Sequence, residues 1–153
     1  LNMDTNIQYA IGEKSNLTIL ASAQMSNKNL DRLQEIVATG PAAVRAFDSG
    51  LLSADNGVLL RADWNHVINE KVNAFIFFDA AWMRTHKSPW DGWNASNSDA
   101  NEYSIFGGGV GVNINITPSL TWNLQYARKI NECDACALDE KSDQFWSVLT
   151  WTP

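Results

Sequence analysis

A period of two in the apolar residues, sustained along most of the chain, constrains the fold more than any other feature. From Val58 to Asn69, Leu60, Ala62, Trp64, His66 and Ile68 fall on one side, and Leu59, Arg61, Asp63, Asn65 and Asn69 on the other. That spacing fits a strand with one greasy and one wet face and does not fit the 3.6-residue period of a helix. The split recurs at 16–26, where Leu17, Ile19, Ala21, Ala23 and Met25 oppose Asn16, Thr18, Ser22, Gln24 and Ser26. It recurs at 119–131, with Leu120, Trp122, Leu124 and Tyr126 against Thr121, Asn123, Gln125 and Lys129. Between 109 and 116, Val110, Val112, Ile114 and Ile116 alternate with Gly109, Gly111, Asn113 and Asn115, whose small and polar side suits a crowded or watery interior.

Turn-forming residues separate these runs at 12–15, 26–31, 69–71 and 117–119, and longer polar links lie at 40–57, 87–101 and 131–143. The pattern predicts eight strands, near 4–11, 16–26, 33–39, 58–69, 72–86, 102–116, 119–131 and 144–151. Short turns at one end and mostly long loops at the other is the asymmetry of an outer-membrane barrel. The turn Gly12-Glu13-Lys14-Ser15 is the exception, being short where this scheme expects an outer loop.

With 153 residues the chain suits one domain, and no repeat or linker divides it. A net charge of −6 with only 11 Lys and Arg argues against nucleic acid as a partner. No run approaches the ~20 apolar residues of a membrane-spanning helix. Barrel strands need only about 9 to 11 residues and escape such a search. Trp64, Trp82, Trp122 and Trp151 lie on the apolar side of their strands, which suits a lipid-facing wall and equally a buried face. Alternation alone does not say which face points outward, so a membrane barrel and a soluble one both stand at this stage. The chain opens on Leu1 without a signal peptide's pattern, and the expectation is a piece of a longer protein.

The segment from Lys28 to Phe47, followed by Asp55-Asn56-Gly57, adds a second kind of information. It resembles the signature of the two-partner secretion transporters, the haemolysin secretion/activation proteins, whose usual form runs close to NLDSSEQFxLGGPxxVRGYP. Asn29, Leu30, Asp31, Gly40, Pro41, Val44 and Arg45 stand at matching positions. The family also has an F-x-D motif on the second strand after that loop, and Phe77-Phe78-Asp79 supplies it. Five strands follow the loop here, as they follow the sixth extracellular loop in that family. The resemblance therefore implies the C-terminal half of a sixteen-stranded transmembrane β-barrel, over residues 1–153, without the periplasmic POTRA domains and N-terminal strands. It implies a bacterial outer-membrane pore that exports a large partner exoprotein, of the haemolysin or adhesin type, with no cofactor and no enzymatic activity. Phe145, Leu149 and Trp151 look like the terminal-strand signal read by barrel-assembly machinery, with Thr152-Pro153 in place of the usual terminal aromatic. Where the family has Gly-Tyr-Pro after Val-Arg, this chain has Ala46, Phe47 and Asp48, which implies a loop tip folded in its own way.

Elementary chemistry explains why an arginine and an aspartate belong together here. A loop folded into a water-filled barrel needs an anchor, and a guanidinium fits a carboxylate through two parallel hydrogen bonds. Parity places Phe75, Phe77, Asp79 and Ala81 on one face and Ile76, Phe78, Ala80 and Trp82 on the other. A carboxylate on the lipid face is costly, so Asp79 is expected to face the lumen. The expected anchor is Arg45 with Phe77 and Asp79, and the expected loop motif is Gly40, Pro41, Val44 and Phe47.

Other candidates carry less. Cys133 and Cys136 are expected to form a short disulfide in the last outer loop in preference to a metal site, since a structural zinc takes four ligands and no second Cys pair exists. His66 and His86 are far apart in sequence with no acidic orienter at useful spacing, and His66 reads as an interfacial side chain. The run from Phe106 to Gly111 lies in a strand with no helix after it, so it reads as a surface for the inserted loop to pack on. Asp134, Asp139, Glu140 and Asp143 read as a solvated loop, with divalent-cation binding at a surface of outer-membrane lipid and lipopolysaccharide as the alternative. The alternatives to a transporter are a small structural or adhesin-like outer-membrane barrel, or a soluble ligand-binding barrel. A half-barrel predicts an open, curved antiparallel sheet with unpaired edges at its first and last strands.

Overall fold

The computed structural model describes residues 1–93, 101–131 and 141–152. Among them there is no helix, and seven long strands form one antiparallel sheet. These are β1 (Asn2–Ile11), β2 (Ser15–Gln24), β5 (Asn56–Asn69), β6 (Val72–Arg84), β7 (Glu102–Thr117), β8 (Leu120–Lys129) and β9 (Asp143–Trp151). Their order in the sheet follows the chain, each strand pairing with the next, and β1 and β9 are its edges. Two short strands, β3 (Ile36–Val37) and β4 (Ser53–Ala54), pair with each other inside the long connection between β2 and β5.

Register turns the sequence alternation into two surfaces. One row crosses all seven long strands as Tyr9, Leu17, Trp64, Ile76, Val110, Tyr126 and Phe145. Every member is apolar or aromatic, and Trp64, Ile76, Val110, Tyr126 and Phe145 are exposed. Trp82, Trp122 and Trp151 are exposed on this same outer face. So much contiguous apolar surface is foreign to a soluble monomer and natural to a wall against lipid. The neighbouring row on the inner face reads Gln8, Thr18, Asp63, Phe77, Gly109, Ala127 and Gln144.

The segment 33–39, expected as a third barrel strand, belongs instead to the loop. Asp31 turns the chain, its carbonyl accepting from the Gln34 amide at 2.7 Å and its carboxylate from the Leu33 amide at 3.1 Å. Leu33 is 96% exposed, and only Ile36 and Val37 keep strand pairing. This correction also removes the anomaly at Gly12–Ser15. With only β1 and β2 before the long loop, that short turn falls at the same end of the sheet as the turns after β5 and β7. Short turns then lie at one end and long loops at the other without exception.

Candidate functional site: a loop seated on the inner face

The connection from 25 to 55 folds back over the inner face and supplies nearly half of the buried core. Ala38, Ala43, Val44, Ala46, Phe47 and Ala54 from the loop cluster with Leu59, Phe75, Phe77, Ala81, Met83, Ile105 and Ala127 from the sheet. Burying Val44 and Phe47 alone stabilises this seat by about 1.5 to 3 kcal/mol each.

Gly40 and Pro41 make the bend that delivers Arg45. The Gly40 carbonyl accepts from the Ala43 amide at 3.0 Å, closing a tight turn with Pro41 at its second position. Gly40 has φ +116°, and a Cβ there would meet the Ser49 backbone at 3.0 Å. Only glycine fits both conditions. Thr39 steadies the return limb, its hydroxyl accepting from the Leu51 and Leu52 amides at 2.9 and 3.2 Å.

Arg45 is 1% exposed and meets Asp79, which is fully buried. The guanidinium donates Nε to Oδ2 at 2.8 Å and Nη2 to Oδ1 at 2.7 Å, and the Arg45 amide also donates to Oδ2 at 3.0 Å. Nη2 pairs in addition with Asp63 on β5. The guanidinium carbon lies 3.6 Å from the centre of the Phe77 ring, a cation–π contact sealed from water. Burial pulls the Arg45 pKa down, but the hydrogen bonds to Asp79 and Asp63 outweigh it and hold the group above arginine's usual value. Arg61, cross-strand from Asp79, completes a four-charge cluster. Its Nε is 3.8 Å from Asp79 Oδ1 and Nη1 donates to the Ala42 carbonyl at 3.1 Å.

The glycines of β7 make room. A Cβ on Gly107 would come within 2.6 Å of the Ala46 Cβ, and one on Gly109 within 2.6 Å of the Phe77 ring. At the tip, Ala46 takes no positive φ, so its side chain costs nothing in backbone conformation. Phe47 is fully buried with the Lys129 ammonium 4.8 Å from its ring, and Asp48 accepts from Gln144 Nε2 at 2.8 Å.

The loop's outer limb is stapled to the next outer loop. Asn29 and Ser88 exchange two hydrogen bonds of 2.8 and 2.7 Å, and the buried Asp55 carboxylate accepts from the Leu30 and Lys87 amides at 2.7 and 2.8 Å. Thus Arg45, Phe77 and Asp79 come together, and Gly40, Pro41, Val44 and Phe47 shape and bury the loop that carries the first of them. Sequence reasoning missed Asp63, Arg61, Asp55, Gln144 and Trp146. Parity put Asp63 and Arg61 on the correct face, but their relation to Arg45 depends on strand stagger. Cys133 and Cys136 lie outside the described residues, as do Asp134, Asp139 and Glu140. His66 stacks on Trp64 with ring centres 5.9 Å apart and bonds Ser15 at 2.9 Å. His86 sits 5.0 Å from both Trp90 and Trp93. Among the described residues no cluster could hold a metal ion.

An apolar outer face, a polar inner face and a long outer loop seated on the inner face define a segment of an outer-membrane β-barrel wall with an inserted loop. The chain belongs to the haemolysin secretion/activation protein ShlB/FhaC/HecB family, whose model matches residues 1–114. Its place is the bacterial outer membrane. Its fold is similar to that of CdiB from Acinetobacter baumannii, at a TM-score of 0.70 and 16% identity. The match covers 97% of this chain and 26% of CdiB, so the chain spans about a quarter of that protein's length. No curated protein matches the sequence.

Proposed function

We propose that this chain is the C-terminal part of a two-partner secretion pore that exports a large exoprotein, of the haemolysin or adhesin type, in extended form across the outer membrane. In this reading the loop around Arg45 occupies the lumen and Arg45, Phe77 and Asp79 anchor it there. Family membership and the barrel fold support the reading, and the observation that carries it is the buried, two-pronged Arg45–Asp79 contact against Phe77. A loop that merely covered the outer opening would not need a fully desolvated ion pair. The exoprotein needs only a path and an extended backbone, so the residues act by binding and positioning, and no covalent step is involved. Outer-membrane lipid and lipopolysaccharide surround the wall in this proposal, and the barrel-assembly machinery inserts it.

The test is charge reversal in the complete protein, by Arg45→Asp and Asp79→Arg singly. Each is expected to displace the loop and change export of the cognate exoprotein, measured by immunoblot of culture medium with barrel insertion verified by heat-modifiable migration. Unchanged export together with an unchanged loop position in both variants would refute the proposal.

A further inference from the structure

Arg45 is held at more than its side chain. Its carbonyl, in a residue with almost no exposure, accepts from the Trp146 indole Nε1 at 2.7 Å. A buried carbonyl in a loop has no strand ladder to satisfy it, and an indole N–H donates only, so each group supplies what the other lacks. Two residues earlier on β9, Gln144 Nε2 donates to Asp48 at 2.8 Å. Both side chains come from the far edge of the sheet, three strands from β6, or about 14 Å at the usual strand spacing. Parity makes Trp146 stand out: Trp64, Trp82, Trp122 and Trp151 lie on the outer face, and among the strand tryptophans Trp146 alone lies on the inner face.

We infer that β9 provides a second grip on the loop, with Trp146 and Gln144 as positioning residues that hold residues 45–48 from a strand three places along the wall from the Arg45–Asp79 anchor. The inference rests on the lumenal-loop reading above and deepens it. The loop is a brace between β6 and β9 and not a flap hinged at one side. Displacing it requires both grips to open, and any movement of the edge strand β9 relative to β6 pulls on residues 45–48.

The experiment measures amide hydrogen exchange of the peptide covering residues 40–50 in the complete protein, purified in detergent. Trp146→Phe keeps a ring and removes the donor, and Gln144→Met keeps the length and removes the amide. Each is expected to speed exchange in that peptide by about three- to tenfold, the worth of one ordinary hydrogen bond, with exchange in β5 and β6 unchanged. Gln144→Lys retains a donor toward Asp48 and is expected to stay at the wild-type rate, which a purely steric role for position 144 would not produce. Wild-type exchange in both Trp146→Phe and Gln144→Met would overturn the inference, as would equal acceleration in Gln144→Met and Gln144→Lys. If Trp146→Phe fails to insert, the two Gln144 variants decide alone. Export is scored in parallel: faster exchange with normal export upholds the second grip and counts only against the transport role assigned to the loop.

Discussion

Replacing Arg45 by methionine isolates the charge of the anchor, because the stem over Phe77 is largely kept while the guanidinium is removed. Asp79, fully buried, then loses two hydrogen bonds of 2.8 and 2.7 Å and keeps the Arg45 backbone amide at 3.0 Å. Removing one partner of a buried ion pair costs about 3 to 5 kcal/mol, since the other charge is left without compensation. Here the lower end applies, because Arg61 Nε lies 3.8 Å away and among the described residues has no hydrogen-bond partner of its own. A loss of about 3 kcal/mol shifts the ratio of seated to unseated loop about a hundredfold. The assay is hydrogen exchange of residues 40–50 together with secretion. Arg45→Met/Asp79→Leu should lie closer to wild type than Arg45→Met alone, because the stranded charge is gone. Arg45→Met/Arg61→Met should be worse than Arg45→Met. Additive behaviour of the Arg45 and Asp79 changes would refute the argument, since independent residues do not interact in such a cycle. The pH sense also follows. Arg45's pKa is raised in the folded state, so its contribution is complete below the unfolded value and is lost only as pH rises through the folded one. Both lie far above neutrality, so the guanidinium itself releases no loop between pH 5 and pH 9.

Two further outcomes test the packing and the facing of the sheet. Gly107→Ala should unseat the loop by putting a Cβ 2.6 Å from that of Ala46, at a cost of about 1 to 3 kcal/mol, and Ala46→Gly in the same chain should restore it; failure of the rescue in the exchange assay refutes the notch. Phe78→Arg, on the exposed apolar face midway along β6, should lower refolding stability in lipid vesicles by about 2 to 4 kcal/mol, whereas Asn113→Arg on the inner face should cost far less; equal losses would mean that the faces are wrongly assigned.

Alternation made the sheet legible because each strand's faces are fixed by parity within a single segment. That Asp79 and Trp82 lie on opposite faces follows from that rule, and the cost of a carboxylate against lipid says which of the two faces inward. Position across strands does not follow. Arg61 and Asp79 are partners, and Gly107 lies beside them, only because of the stagger at which β5 pairs with β6 and β6 with β7. The β2–β5 connection departs from the strand expected at 33–39 for a related reason. Glu35, Ile36 and Val37 have the composition of a strand, but Asp31 and the staples at Asn29 and Asp55 turn that stretch across the inner face, and tertiary contacts override its local preference. Trp146 gave one readable signal, its parity opposite to that of the other strand tryptophans, though nothing in the sequence says that its partner is a backbone carbonyl 101 residues away.

The energetics assign different tasks to the two kinds of contact. Val44 and Phe47 supply a non-directional stabilisation of about 3 to 6 kcal/mol together, which any apolar loop of similar size would gain. A buried ion pair adds little to that net, since desolvation offsets most of its attraction. What Arg45 contributes is position: its fork matches Asp79 in one geometry, Asp63 and Phe77 close the remaining directions, and Trp146 fixes its carbonyl. A loop seated this way is placed accurately and held by a stabilisation far below that of the strand ladder. It can therefore be displaced as a unit while the wall stays intact, which is the property that the proposed transport role would require of it.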